Sequence, residues 1–239
     1  TNDTTSIGLA ASGTDNISFN AINTGTAPVV ATIEVTPTFT NDGVSCEGPS
    51  ETFTITVNPT GQINSIQDQV VCNGDPTDLI NFTTQNTDGT TTYSWTNDNT
   101  SIGLAASGNQ NNIQPLNVIN NGTTPVTATI EVTPSFEGCE GPSETFTITV
   151  NPLPQVDSIA DQVVCSGDTI QDIIFTTQNT NGVTTYAWTN DTPSIGLTTP
   201  GSGDISSFVA INTGTTPVIA TIEVTPSFEG CEGPSETFT

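Results

Sequence analysis

Apolar and polar residues alternate with a period of two along much of the 239-residue chain. In Ala128–Pro152, ATIEVTPSFEGCEGPSETFTITVNP, the residues Ala128, Ile130 and Val132 alternate with Thr129, Glu131 and Thr133. Phe146, Ile148 and Val150 alternate in the same way with Thr145, Thr147 and Thr149. This period turns one apolar face inward and leaves a Thr/Glu face to water, the mark of half-buried strands. Between the two runs, SFEGCEGPSE carries two Gly, a Pro and one Cys and reads as the turn of a β-hairpin. A lone hairpin buries too little to be stable, so the pair must belong to a larger sheet module. No stretch keeps a 3.6-residue period, so α-helix should be nearly absent.

The hairpin recurs. Ala128–Thr147 returns letter for letter as Ala220–Thr239, and a variant with a longer loop occupies Ala31–Pro59. VVCNGD at Val70–Asp75 returns as VVCSGD at Val163–Asp168, and YSWTND at Tyr93–Asp98 returns as YAWTND at Tyr186–Asp191, each 93 residues on. A fixed long period means an array of equivalent modules. VNP at Val57–Pro59 and at Val150–Pro152 closes each module, with Pro suited to a short linker between strands. The expected division is a partial repeat at 1–59 (the C-terminal half), a complete repeat at 60–152, and a repeat at 153–239 cut within its last strand. The chain is thus expected to be a window on a longer repetitive protein. In the complete repeat, a broken first strand is expected at Gln62–Ile66 and Gln69–Cys72, further strands at Leu79–Thr84 and Thr91–Thr96, a short strand plus loop at Ser101–Gly108, and a strand at Pro115–Ile119, ahead of the hairpin. Some seven short strands with turn signals between them predict an all-β, antiparallel Greek-key sandwich of immunoglobulin-like type.

Composition narrows the function. The chain has 25 acidic residues and no Lys, Arg or His, for a formal charge of −25. Without cations it cannot neutralise phosphates, which excludes nucleic acid and anionic lipid as partners. No apolar run reaches the ~20 residues that span a bilayer. Without His or Lys there is no Ser-His-Asp or Cys-His arrangement and no Schiff base, so an enzyme is not expected. Hydrophobic residues make up 32% of the chain, low for a compact enzyme but enough for thin sandwiches with Thr-covered outer faces.

VVCxGD, YxWTND, SIGLAASG, TGTxPVxATIEVTP and the closing FTITVNP together resemble the tandem PKD-like, immunoglobulin-like repeats of giant Bacteroidetes surface proteins. The resemblance covers the whole chain. It implies an extracellular stalk or filament at the outer-membrane surface, exported by the type IX pathway and used for attachment or gliding. The expected partners are neighbouring repeats, extracellular polysaccharide or other adhesin filaments.

Each full repeat carries one VVC and one GCEG cysteine: Cys72 with Cys139, and Cys165 with Cys231. Cys46 is left over. Two cysteines per repeat in an exported chain predict disulfides. Pairing within each repeat, Cys72–Cys139 and Cys165–Cys231, is the expectation. The alternative is a bond from Cys72 to Cys231 of the next repeat, because the first turn and the last hairpin of such a sandwich tend to lie at opposite ends. Trp95 and Trp188 share parity with Tyr93 and Tyr186 and read as core residues, the alternative being a sugar-stacking platform. Asp68, Asp75 and Asp78 (with Asp161, Asp168 and Asp172), and Glu137, Glu140 and Glu144 (with Glu229, Glu232 and Glu236), flank the two cysteine turns. Their oxygens would suit calcium, without any EF-hand spacing; the alternative is a solvated acidic rim. Asp-Ser/Thr sequences followed by Thr or Ile resemble the O-glycosylation signal of Bacteroidetes exported proteins and mark Thr4, Ser158 and Thr169. The reading overall is a structural stalk. The alternative is a carbohydrate- or protein-binding module acting through the loops Ser101–Asn112 and Ser194–Asp204, which differ between copies, and a further one is a filament held by lateral contacts.

Overall fold

A computed structural model describes residues 1–239. The fold is an all-β, immunoglobulin-like sandwich repeated along the chain. Its only helical elements are three short 3₁₀ turns at Thr5–Ile7, Thr100–Ile102 and Pro193–Ile195. Three separate apolar clusters form: 14 buried residues within 80–150, 10 within 156–238, and only 4 within 7–57.

The middle cluster shows how one sandwich closes. One sheet runs in the order Gln69–Cys72, Glu144–Asn151, Val126–Phe136, Thr91–Asn97, Ser107–Gly108. Ile80–Asn81 pairs Asn112–Ile113 in the second, smaller layer, extended by an isolated bridge between Pro76 and Asn117. The inward faces of both layers meet over Trp95, Phe146, Ile148 and Val150. Alternation along Val126–Phe136 is complete: Ala128, Ile130, Val132 and Phe136 are fully buried, while Thr127, Thr129 and Glu131 face water.

Four expectations change. The hairpin turn is only two residues long. Val126–Phe136 continues past Pro134 and turns at Glu137–Gly138, and Cys139–Glu140 pairs straight back onto it. Both turn residues have positive φ (46° and 83°), the geometry that matches strand twist in a two-residue hairpin. Cys139 is therefore a strand residue rather than a loop residue. Pro115–Ile119 does not form a strand of its own, since Pro115 has no N–H to give a ladder, and Asn112–Ile113 takes the pairing instead. Gln62–Ile66 also forms no ladder, and its Asn64 N–H reaches the Thr83 carbonyl alone. Finally, one pair in the main sheet is parallel: Gln69–Cys72 lies alongside Ile148–Asn151.

In the first repeat, Val29–Val35 pairs Glu51–Val57, and the long hairpin Thr38–Glu47 turns at Asp42–Gly43. Phe39, Val44 and Phe53 stand 73%, 66% and 46% exposed. Phe146, which is Phe53 one repeat on, is 2% exposed. The difference lies in what the rest of each sandwich supplies, since the local sequences agree.

Candidate functional site at the junction between repeats

The parallel pairing decides where the first cysteine goes. Because Gln69–Cys72 runs alongside the closing strand, with Cys72 opposite Asn151, it arrives at the end of the repeat where the linker leaves. Asn73 N–H donates to the Asn151 carbonyl (2.9 Å) and Gly74 N–H to the Val118 carbonyl (2.9 Å), with Gly74 at φ +92° closing the turn. Asn73 Oδ1 accepts from Asn120 N–H (2.8 Å), and buried Asn120 in turn donates to the Val150 and Thr124 carbonyls (both 2.8 Å). The Cys72 turn is thus bound to both the closing strand and the neighbouring loop.

The second cysteine goes to the other end. Cys231–Glu232 pairs back on Ser227–Phe228, and Gly233 lies so close to the linker residue Pro154 that a Cβ there would fall 2.3 Å from the Pro154 carbonyl oxygen. Hairpin and linker therefore meet at the near end of the third repeat, against the Cys72 turn of the second.

Cys72 and Cys231 are bonded, with their Cα atoms 5.6 Å apart. This corrects the expected pairing within each repeat. Cys139 and Cys165 are free thiols, as is Cys46. The physical reason is the polarity just described: the VVC turn and the hairpin of one repeat lie at opposite ends, so each cysteine faces a neighbouring repeat. The bond spans 159 residues of sequence and crosses one junction.

Hydrogen bonds brace the same junction. Thr180 N–H donates to the Thr123 carbonyl across it (3.0 Å). Asn179, buried, accepts from Gln155 N–H (2.9 Å) and donates to the Leu153 carbonyl (3.2 Å), while the Thr177 hydroxyl donates to its Oδ1. One amide side chain thereby satisfies both backbone groups of the linker. Truncating it leaves two part-buried partners unpaired, at about 1–2 kcal/mol each. Asn179→Ala should therefore lower the stability of the third repeat by about 2–4 kcal/mol, read by chemical denaturation, with hydrogen exchange accelerating first at Gln155.

Six of the twelve acids named as calcium candidates accept backbone hydrogen bonds. Asp68 accepts from Thr147 N–H (2.6 Å) and Asp161 from Thr239 N–H (2.8 Å), each clamping the closing strand. Glu137 accepts from Thr90 N–H (2.6 Å), Glu229 from Val183 N–H (2.7 Å), Asp168 from Cys165 N–H (3.0 Å) and Asp172 from Ser207 N–H (2.7 Å). No three carboxylates or thiols gather to hold a metal ion.

The WTND motif explains a role missed in the sequence. Asn97 and Asn190 are buried and donate to the Leu104 and Leu197 carbonyls (3.2 and 2.9 Å). The aspartate after each clamps the hairpin: Asp98 accepts from Thr129 N–H (2.7 Å) and Asp191 from Thr221 N–H (2.8 Å). Asp3 does the same with Thr32 N–H (2.7 Å). The repeated Asn-Asp pair after Trp-Thr was the available signal.

These bonds leave a pH signature. The Thr221 N–H and then the Thr192 hydroxyl (2.8 Å) hold the Asp191 carboxyl below its ordinary value, and Thr32 with Thr4 does so for Asp3. A carboxyl whose folded value is depressed stabilises the fold above the unfolded value of about 4, and that contribution disappears as pH falls through the folded value. The stability gap between the natural chain and Asp191→Asn should be largest above about pH 5 and close below about pH 4. A gap that widened on acidification would rule this out.

Trp95 and Trp188 are buried in their clusters, with Gly108 and Gly201 packed so tightly that a Cβ would meet the indole at 2.5 and 2.0 Å. Burial raises the Tyr93 phenol, and burial, then the Asp157 and Asp204 carboxylates, raises that of Tyr186. These aromatic rings belong to the core. Of the candidate modification sites, Ser158 and Thr169 are exposed, whereas the Thr4 hydroxyl is held by Asp3 (2.8 Å). No helix is long and apolar enough to cross a membrane.

Residues 69–154 match the PKD-like domain family. They take in the VVC turn, the sandwich and the start of the linker. Among solved structures, a segment of titin is similar at 14% identity, covering 88% of this chain and 73% of that one, with a TM-score of 0.44. The chicken CNTN1 FN1–FN3 domains align at 10% identity over 87% and 74%, TM-score 0.33. The N-terminal Ig1-2 module of the Drosophila receptor protein tyrosine phosphatase DLAR aligns at 13% over 75% and 97%, TM-score 0.28. No curated protein sequence matches the chain.

Proposed function

We propose that this chain is a segment of the structural stalk of a large secreted cell-surface adhesin, serving surface attachment or gliding motility. Its repeats are taken as 1–59, 60–152 and 153–239, a division supported by the three separate cores. The observation that carries the reading is the Cys72–Cys231 bond, which joins two successive sandwiches. A covalent tie between modules fixes their spacing and bears tension, which a stalk requires and a free-standing binding module does not. The uniform negative charge keeps neighbouring stalks apart. Export to the outer-membrane surface by the type IX pathway, and contact with polysaccharide or other filaments beyond the stalk, belong to the same proposal.

Exchange of these repeats, in the protein that carries them, for unrelated sandwich repeats of equal length tests it. Attachment should persist. Its loss, together with saturable binding of the isolated chain on a glycan array, would favour recognition through Ser101–Asn112 and Ser194–Asp204, the loops that differ between copies. Sugar attachment is proposed at Ser158 and Thr169, with Thr4 the least available of the three. Native material should then exceed the sequence mass by whole hexose units, and an intact mass equal to the bare chain would exclude it.

A further inference from the structure

The chain has two junctions, and they are built alike. Thr180 N–H meets the Thr123 carbonyl at the second; at the first, Thr87 N–H meets the Thr26 carbonyl (2.8 Å). Asn86 braces the first linker as Asn179 braces the second, accepting from Gln62 N–H (2.7 Å) and donating to the Thr60 carbonyl (3.2 Å). Cys139 has the place at the first junction that Cys231 has at the second. Each starts a two-residue strand paired onto the hairpin, and the Cys139 carbonyl takes the N–H of the linker residue Gly61 (3.0 Å).

What differs is the partner. At the second junction the strand Gln69–Cys72 lies on the edge of Ile148–Asn151 and delivers Cys72. The counterpart edge at the first junction, Ile55–Val57, is open: Glu51–Val57 pairs only Val29–Val35. By likeness to the second junction, one strand on this open edge would bring its cysteine to the half-buried Cys139 thiol.

We propose that Cys72–Cys231 is one link of a continuous series, and that Cys139 is the acceptor for the VVC turn of another repeat of this kind. That turn seats its strand parallel on Ile55–Val57 and places its cysteine opposite Asn58. Cys165, on an exposed VVC turn, is the donor half for a further hairpin. Closing each bond removes one proton from each thiol and passes two electrons to a disulfide co-reactant, which is reduced to two thiols. The inference rests on the stalk reading only for its purpose. Cys72 lies 26 residues after Cys46, and Cys165 lies 26 after Cys139, so in a linked series tension passes from bond to bond through these short segments and bypasses each sandwich.

The test uses the full chain and a synthetic peptide of Ser65–Asp78, its cysteine activated as a mixed disulfide with thionitrobenzoate. The Cys139 thiolate attacks the peptide sulfur, the new bond forms, and thionitrobenzoate leaves. A scrambled peptide with the same activated cysteine gives the baseline, and peptide mapping reads each site. Cys139 should take the native peptide at least tenfold faster than the scrambled one, while Cys46 and Cys165 take both at equal rates. Equal rates at Cys139, or no labelling there, would overturn the proposal. Neither outcome depends on adhesion, so failure here leaves the stalk reading standing.

Discussion

Held at its two ends and pulled, the oxidised chain should stop about 550 Å short of the length it reaches once reduced, at about 3.5 Å per extended residue, because the Cys72–Cys231 bond closes off a sequence separation of 159 residues. Force on Thr1 and Thr239 runs to Cys72, across the sulfurs, and out from Cys231. Most of the second and third sandwiches lies inside the closed loop and is shielded from load. Single-molecule extension with and without reductant reads the difference directly. Cys72→Ser should give the long contour without reductant. An extension unchanged by reduction would mean that the two repeats are not covalently joined. In the chain-entropy account a loop of this size also restricts the unfolded ensemble by about 5 kcal/mol, so the same substitution should lower the denaturation midpoint of both repeats together. Two bonds within single repeats would show no such shared loss.

That bond marks the limit of what the sequence shows. Alternation along Val126–Val132 and Phe146–Val150 placed the hairpin, and the 93-residue recurrence of VVCxGD and YxWTND placed the modules, because both signals are local or periodic. Pairing of Cys72 depended instead on strand order: a parallel ladder between the first and last strands of a repeat, which no alternation encodes. With that ladder known, Cys72 and Cys139 of one repeat fall at opposite ends and the partner follows. The acids at the cysteine turns misled for a related reason. All look like free ligands in sequence, yet Asp68, Asp161, Asp172, Glu137 and Glu229 are engaged by backbone N–H groups from residues tens of positions away, as with Asp68 and Thr147. The Asn residues that brace the linkers, Asn86 and Asn179, carried only a weak signal in QNT, a tripeptide common in any Thr- and Asn-rich chain.

The hairpins also allow a test in which local sequence is held constant while burial varies. CEGPSETFT occurs three times, so Phe53, Phe146 and Phe238 share their neighbours for seven residues before and one after. Phe146 and Phe238 are 2% and 3% exposed and packed in complete cores, whereas Phe53 is 46% exposed on a two-stranded sheet. Phe146→Ala should lower the stability of its repeat by about 3–5 kcal/mol through lost transfer energy and the cavity left behind. Phe53→Ala should cost well under about 1 kcal/mol, since little apolar surface leaves water there. Hydrogen exchange resolved by peptide keeps the repeats apart: protection should collapse across Val126–Asn151 in the first variant and change little across Val29–Val57 in the second. Equal losses would mean that the first repeat has a closed core in solution. If the peptide of Ser65–Asp78 does join Cys139 and cover the edge at Ile55–Val57, the Phe53→Ala cost should rise toward that of Phe146→Ala, because the added strand would cover the open side of the sheet.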